Sequence, residues 1–438
     1  MRSGSNRITR RDATRLLAGS LLSGLSAPPL AHAFAGAPPA SSRLSQDDEA
    51  FLDDLERSAC LYFWEQADPY NGQVLDRAIN KTATGERDHR FAASIAATGF
   101  GLTALCIADY RKYLPSDRIR QRVTATLQFH LRPMPNEHGF FYHFNDVKTG
   151  LPLLNSEVSP IDTALLLCGI LTCRAYFNDP KITDLATRIY DRIDWPWMLN
   201  GGKTFALAWL PATGFLDPRW DHYAEMMMLY LLAIGAQKNP IPASCWDAFS
   251  RPRMHYGPYS YISGHDPLFV HMYSQAWFDF SRKRDAYADY FANSVTATRA
   301  HRAFLLSLHR GYTDDYWGVS ASDWMHGYTA WGGPPLMGPV DGSVVPYVAA
   351  GALPFLPREC MRVLRSLKEK YGKDAWGRYG PCDALHPALA WYDPDVLGID
   401  LGIGVIMAEN LRSGLIWKTF MQNPEPGKAM KLCGFRNA

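Results

Sequence analysis

From residue 47 onward the apolar positions recur at helical spacing, in two alternating kinds of stretch. The first kind is amphipathic: 47–66, 121–131 and 181–193 each carry an apolar stripe on an otherwise polar helix, the pattern of a half-exposed element. The second kind is apolar nearly all round: 94–110, 164–171 and 223–236, the pattern of a helix hidden from water. The stretches 268–280, 287–308, 345–350 with 357–371, and 401–417 continue the series. Helix starts are marked as well. Ser159-Pro160 places an N-cap and a first-turn proline ahead of 164–171. Acidic residues crowd the first turns of 47–66. Long loops rich in Gly, Pro and aromatic residues separate the helices, and loops of that length are usually functional.

This alternation predicts an all-α protein of two concentric layers, with hidden helices inside and half-wet helices outside. An α/α toroid is the economical solution, its long aromatic loops forming a cleft at one end. A helical bundle and an α-solenoid share the same periodicity and stay open. The boundaries read as an export signal over 1–35, a flexible spacer over 36–45 and a single domain over 46–438. Thr9-Arg10-Arg11-Asp12, the modest apolar run Leu16 to Leu22 and Ala31-His32-Ala33 form the pattern of a twin-arginine signal with a small-x-small cleavage site. The expected location is periplasmic or secreted. No later run reads as a membrane span, since the apolar stretches are short or interrupted by charge.

Composition narrows the chemistry. In 438 residues, 47% hydrophobic and 13% aromatic content provide a large core with rings to spare, and surplus rings commonly stack on sugar faces. The formal charge of +2, with no long basic run, argues against a nucleic-acid partner. Eight cysteines are scattered through apolar contexts and read as buried thiols. Cys168-x4-Cys173 has no matching His/Cys pair, so zinc is not expected. There is no phosphate loop, dinucleotide glycine pattern, HExxH or Ser-His-Asp spacing, so no cofactor or metal is called for. Nothing in the sequence sets the oligomeric state.

The densest chemistry lies between His138 and Phe177. Tyr142 and His143 sit among aromatics, Asp146 precedes a Thr149-Gly150 turn, and Glu157 and Asp162 flank the helix start at Ser159-Pro160. An acidic residue there also serves as a helix cap. Glu225 is the only charge on the apolar stretch 223–236, and an ionised carboxyl buried without partners costs several kcal/mol. It is therefore a candidate general acid, with capping as the plain alternative. Trp317, Asp323, Tyr328 and Trp331 project from a Gly- and Pro-rich loop. Trp331 is the expected exposed stacking ring there, while Trp317 packs equally well beneath. Asp341 and Asp400 each occupy a Gly-flanked turn opening a helix, where an Asx turn looks the same. Glu409-Asn410 is placed to support a site carboxyl.

Several segments in order resemble one family. They are Ser94-Ile-Ala-Ala-Thr-Gly-Phe100, His138-Gly-Phe-Phe-Tyr-His-Phe144, Ser156-Glu-Val-Ser-Pro-Ile-Asp-Thr-Ala164 and Tyr223-Ala-Glu225. Tyr273-Ser-Gln-Ala-Trp277, Trp317-Gly-Val-Ser-Ala-Ser-Asp323, Gly327-Tyr328, Asp341-Gly342 and Gly398-Ile-Asp400 follow. The series, from about 61 to 417, is similar to the glucoamylase-like domain family, which includes bacterial endo-β-1,2-glucanases and the hydrolase-like domain of cyclic β-1,2-glucan synthases. The resemblance implies an (α/α)6 barrel and hydrolysis of a β-glucan, plausibly β-1,2-linked. It puts family acidic positions on Glu157 and Glu225, with Asp162, Asp341 and Asp400 beside them. Leu401 and Met272 stand where the family usually has Gln, which touches the sugar-binding subsites.

The expected division of labour makes Glu225 the general acid and Glu157 the second carboxylate, with Asp162 and Asp400 tuning charge or positioning water. His143, Tyr142, Asp146, Trp317, Asp323, Tyr328, Trp331 and Asp341 are the expected sugar contacts. Two other readings remain: a non-catalytic glycan-binding protein, and a lyase or phosphorylase on the same barrel. Few Arg or Lys residues occur in the loops, which disfavours a lyase acting on uronic acids.

Overall fold

The computed structural model describes residues 44–438 apart from 83 and 154. The export signal read over 1–35, and residues 36–43 of the spacer, lie outside the described residues. The chain is helix-rich, and its helices sort by burial as the sequence pattern requires. Five long ones are amphipathic: α1 (Gln46–Glu65), α3 (Ser116–Leu131), α5 (Pro180–Asp191), α9 (Tyr290–Ser307) and α11 (Pro357–Ala375). Six are buried over nearly their whole circumference: α2 (Ile95–Tyr110), α4 (Pro160–Phe177), α7 (Met227–Gly235), α8 (Tyr273–Trp277), α10 (Pro346–Gly351) and α12 (Gly398–Arg412). Short α6 (Trp195–Leu199), α13 (Leu415–Phe420) and α14 (Pro424–Leu432) complete the set.

Contacts follow the same division. Buried α2 packs on α4 and α12, α4 on α7, and α12 on α10. Amphipathic α1 covers α2 and α12, α5 covers α4, and α11 covers α10. Several helix starts have a local cause. Ser159 caps α4 by accepting the Asp162 N–H, with Pro160 at N1, as read from the sequence. Ser94 caps α2 by accepting the Ala97 N–H, and Ser45 caps α1 through Asp48.

The closest approach is between α2 and α4, where glycine is required. A Cβ on Gly169 would stand 2.1 Å from the Gly99 carbonyl oxygen, and one on Gly99 would stand 2.3 Å from that of Leu165. Both obstacles are backbone, which cannot turn aside.

Some expected elements end elsewhere. The stretch 401–417 is not one helix: Gly414 adopts φ +67° and separates α12 from α13. Only Tyr273–Trp277 of 268–280 is α-helical, preceded by a 3-10 turn at Leu268–His271. The loops are not simply irregular, because short antiparallel ladders tie them together. Arg77–Ile79 pairs with Asp395–Leu397, and Ala92–Ser94 with Phe144–Asp146. These partners lie far apart along the chain, so periodicity within a short window does not reveal them. By length and composition α4 reaches the threshold for a membrane span, but 83% of it is buried inside the protein, which makes it a core helix. All eight cysteines are free thiols, seven of them buried.

Gly169→Ala tests the α2–α4 contact. Removing a helix-interior glycine ordinarily stabilises by about 0.5–1 kcal/mol. Here the methyl group meets backbone, so we expect destabilisation of about 1–3 kcal/mol in denaturant unfolding.

Candidate active site

Four of the expected site residues lie at the N-terminal ends of buried helices. Asp162 lies in the first turn of α4, Glu157 three residues ahead of it, Glu225 just before α7 and Asp400 in the first turn of α12. The positive end of each helix dipole favours a carboxylate there. The starts of α2 and α12 are held together: a Cβ on Gly398 would be 2.7 Å from the Ala97 methyl.

The first group forms around His143. Its amide donates to the Glu157 carbonyl at 2.9 Å, and its own carbonyl accepts the Ile95 N–H that opens α2. Nδ1 stands 3.1 Å from Glu157 Oε1 and Nε2 stands 3.6 Å from Asp162 Oδ1. The ring stacks on Phe144 with centroids 3.8 Å apart. An imidazole with a carboxylate at each nitrogen donates to both when protonated and to one when neutral. Asp162 is also held by the Ser159 hydroxyl, which donates to Oδ2 at 2.5 Å. His143 and Asp162 are buried and Glu157 is half-buried.

Glu225 is 5% exposed and sits among Tyr223, Ala224, Met226 and Met227, all buried. Its carbonyl accepts the Ser274 hydroxyl at 2.7 Å, and Ser274 Oγ accepts the Met228 N–H at 3.0 Å. Helix α8 thereby fixes the start of α7. Beside it the Tyr223 hydroxyl lies 3.1 Å from His271 Nδ1. Burial lowers the His271 pKa to about 3, so the ring stays neutral.

The second group is acidic and centres on Asp323 and Asp400. Arg77 pairs with Asp76 at 2.9 Å and with Asp323, and Arg90 pairs with Asp395 at 3.0 Å. The Asp323 amide donates to Asp383 Oδ2 at 2.8 Å, and Asp383 is coupled in turn to Asp400. Burial raises the Asp323 pKa against the opposing pull of Arg77. Burial, then repulsion from Asp383 and Asp323, raises Asp393 to about 9.

Among the described residues two triads stand close enough for a cation by distance alone: His143, Glu157 and Asp162, and Asp323, Asp393 and Asp395. In the first, both imidazole nitrogens face the carboxylates. In the second, Arg77 and Arg90 already neutralise two of the three. Both are read as proton- and ion-pair clusters.

Several expected contacts have other tasks. Asp146 accepts from Lys148 N, Thr149 N and Thr149 Oγ, so it builds the 146–150 turn. Although burial raises its pKa, these hydrogen bonds outweigh that and hold it below the usual carboxylate value. Asp341 accepts the Ser343 N–H at 2.8 Å in an Asx turn. Tyr142 is buried and donates to Glu137 Oε1 at 3.1 Å, and burial followed by the Glu137 charge raises its pKa to about 12. Trp317 is fully buried, the packing alternative for that ring. Trp331, expected to be exposed, is only 3% exposed and meets Trp324 edge-on at 5.5 Å. Its small neighbours let it sink into the core. Tyr328 is buried in the loop between Ala321–Ser322 and Thr329–Ala330. Glu409 supports no site carboxyl: it lies nine residues past Asp400, about 13 Å along α12, and pairs with Arg111 at 2.7 Å.

Arg77, Arg90, Asp383, Asp393 and Asp395 were not singled out from the sequence. The local signal for the three aspartates is carboxyl density in the segment ahead of Gly398-Ile-Asp400.

The chain is similar to known proteins in sequence and in fold. Residues 217–424 match the family model Glycoamylase, described as "Putative glucoamylase". An exo beta-1,2-glucooligosaccharide sophorohydrolase (non-reducing end) from Parabacteroides distasonis is 25% identical over 429 residues, covering 88% of this chain and 58% of that one. This chain therefore spans 58% of the length of that curated relative. A crystal structure named as a "putative glucoamylase" from Bacteroides uniformis matches with a TM-score of 0.81 at 26% identity, over 90% of this chain and 99% of that one. The endo-beta-1,2-glucanase of Chitinophaga pinensis, solved with sophorotriose and glucose, matches with a TM-score of 0.80 at 24% identity, over 90% and 99% of the two chains. That last likeness speaks for the fold alone.

Trp331→Ala separates a core ring from a sugar-stacking one. We expect a loss of about 3–5 kcal/mol in unfolding free energy, where an exposed stacking ring would change KM and leave stability nearly untouched.

Proposed function

We propose that this chain, glucoamylase-like over residues 217–424, is a glycoside hydrolase that cleaves a β-1,2-linked glucan with two carboxyl groups. The observation that carries the reading is the placing of Glu157, Asp162, Glu225 and Asp400 at the starts of the nearly fully buried helices α4, α7 and α12, of which α4 packs on α7 and both α4 and α12 pack on α2. The linkage comes from the relative acting on β-1,2-glucooligosaccharides.

In this reading α2, α4, α7, α8, α10 and α12 are the inner ring of an (α/α)6 toroid. Contacts of α2 with α4, α4 with α7, α10 with α12 and α12 with α2 support it, as does the Ser274 bond from α8 to the start of α7. The long loops at the N-terminal ends then form the substrate cleft. Export by the twin-arginine route to the periplasm or medium belongs to the same proposal.

Glu225, surrounded by apolar side chains, is the general acid that gives its proton to the glycosidic oxygen as the bond breaks. Glu157 is the second carboxylate, activating water or attacking the anomeric carbon. His143, between Glu157 and Asp162, holds Glu157 in orientation and takes up charge as it changes. Asp400, with the dipole of α12 behind it, positions water or steadies positive charge on the ring.

Product separation after incubation with β-1,2-, β-1,3- and α-1,4-glucans tests the substrate, with cleavage expected of the β-1,2-linked chain. Glu225→Gln and Glu157→Gln should each lower kcat by about 10²–10⁴-fold with unchanged circular dichroism. A Glu225→Gln variant that still releases reducing ends at the wild-type rate ends the assignment of the acid.

A further inference from the structure

Asp383 lies between the strands Gly380–Pro381 and Leu385–His386, and its carboxyl faces that of Asp400, in the first turn of α12. Asp383 and Asp400 line one small cavity of ≈ 20 Å³ whose other walls are largely apolar, among them Leu55, Val396 and Leu401. Neither lysine nor arginine is among its lining residues. Two ionised carboxylates in contact in such a place repel strongly, so one of them keeps a proton.

Three observations put the proton on Asp383. Asp400 has the N-terminal end of a 15-residue helix behind it, which favours the ionised form, whereas Asp383 sits on a loop. Asp383 is 4% exposed, and burial, then the charges of Asp400 and Asp323, push its pKa well above the ordinary carboxylate value. Its Oδ2 already accepts the Asp323 N–H at 2.8 Å, which leaves Oδ1 to carry the hydrogen. The other groups facing the pair do not reverse this. Asp323 is engaged by Arg77, Asp395 by Arg90, and Asp393 has a raised pKa of its own. Burial likewise holds the Cys382 thiol and the Tyr347 hydroxyl neutral.

We propose that Asp383 is a positioning residue that stays protonated and donates a hydrogen bond to Asp400, keeping that carboxylate ionised and fixed for the reaction. The inference rests on the proposed function, in which Asp400 serves sugar cleavage, and it adds the group that makes Asp400 usable.

The test compares Asp383→Asn with Asp383→Leu on β-1,2-glucan. Asparagine donates to Asp400 through Nδ2 and still accepts the Asp323 N–H, whereas leucine keeps the volume and does neither. We expect Asp383→Asn to lower kcat only a few-fold, and Asp383→Leu to lower it by at least about tenfold with KM little changed. In the leucine variant protonating Asp400 becomes easier, so the acid limb of the kcat/KM profile moves to higher pH. In the asparagine variant it stays near the wild-type position.

A readout without catalysis stands beside these. With a folded pKa above the unfolded one, Asp383 contributes stability that is present below the ordinary carboxylate range. That contribution is lost as pH rises through the folded value. The Tm of the wild type should therefore fall relative to Asp383→Asn as pH rises.

Asp400→Asn tells the two ideas apart. If it keeps full activity, the role given to Asp400 in sugar cleavage fails. If it is inactive, then an Asp383→Asn variant as slow as Asp383→Leu overturns the positioning role. So does an acid limb that stays put in the leucine variant, or a Tm difference that does not change with pH.

Discussion

The bare backbone contact between α2 and α4 is the constraint on which the rest of this structure depends. With glycine at 99 and 169, the two helices approach until a methyl group on either would overlap a carbonyl oxygen of the other. Helices can touch that closely only where no side chain stands at the crossing. The charged residues of α4 and α12 lie toward the helix ends. The first turn of α4 lies beside the strand that leads into α2 through the His143 backbone, and the start of α12 rests on Ala97. Close packing thus leaves the helix ends as the places where these carboxyl groups gather.

The two ends of these helices solve their charge problem differently. At the C-terminal ends of α2 and α12, buried Glu56 and Glu409 meet Arg111 and Arg412. Cations there suit the negative end of the helix dipole. At the N-terminal ends Arg77 and Arg90 face Asp76, Asp323, Asp395, Asp383, Asp393 and Asp400, so carboxyls outnumber guanidiniums. A surplus of buried carboxyls is met by dipoles, by backbone donors and by retained protons. Groups held near the edge between two protonation states are what acid–base catalysis uses, which is why this end is read as the reacting one. The opposite end, where Arg111 and Arg412 pair directly with Glu49, Asp53, Glu56 and Glu409, reads as structural.

The gap between expectation and structure falls along one line. Ser159 and Pro160 start α4 as their local chemistry requires, and Glu157, Asp162, Glu225 and Asp400 stand at helix starts where the apolar pattern put them. What failed was the fate of single loop residues. Trp331 looked exposed between small neighbours, yet small neighbours are also what let a ring sink against Trp324. Asp146 and Asp341, expected as sugar contacts, have a structural task as well, since both build turns. Asp383 and Arg77 went unnoticed, since each gains meaning only from a partner elsewhere in the chain, 246 residues away for Arg77 and Asp323.

The amino-acid sequence by itself determined which stretches are largely helical, which of them hide from water and, at Ser159-Pro160, where one begins. Those choices depend on spacing, caps and dipoles within a few turns of chain. Only the tertiary structure decided which loop carboxyls face one another, which keep their protons and which rings are lost to the core. Those outcomes depend on distances through space and on exclusion of water, neither of which a short window of residues contains.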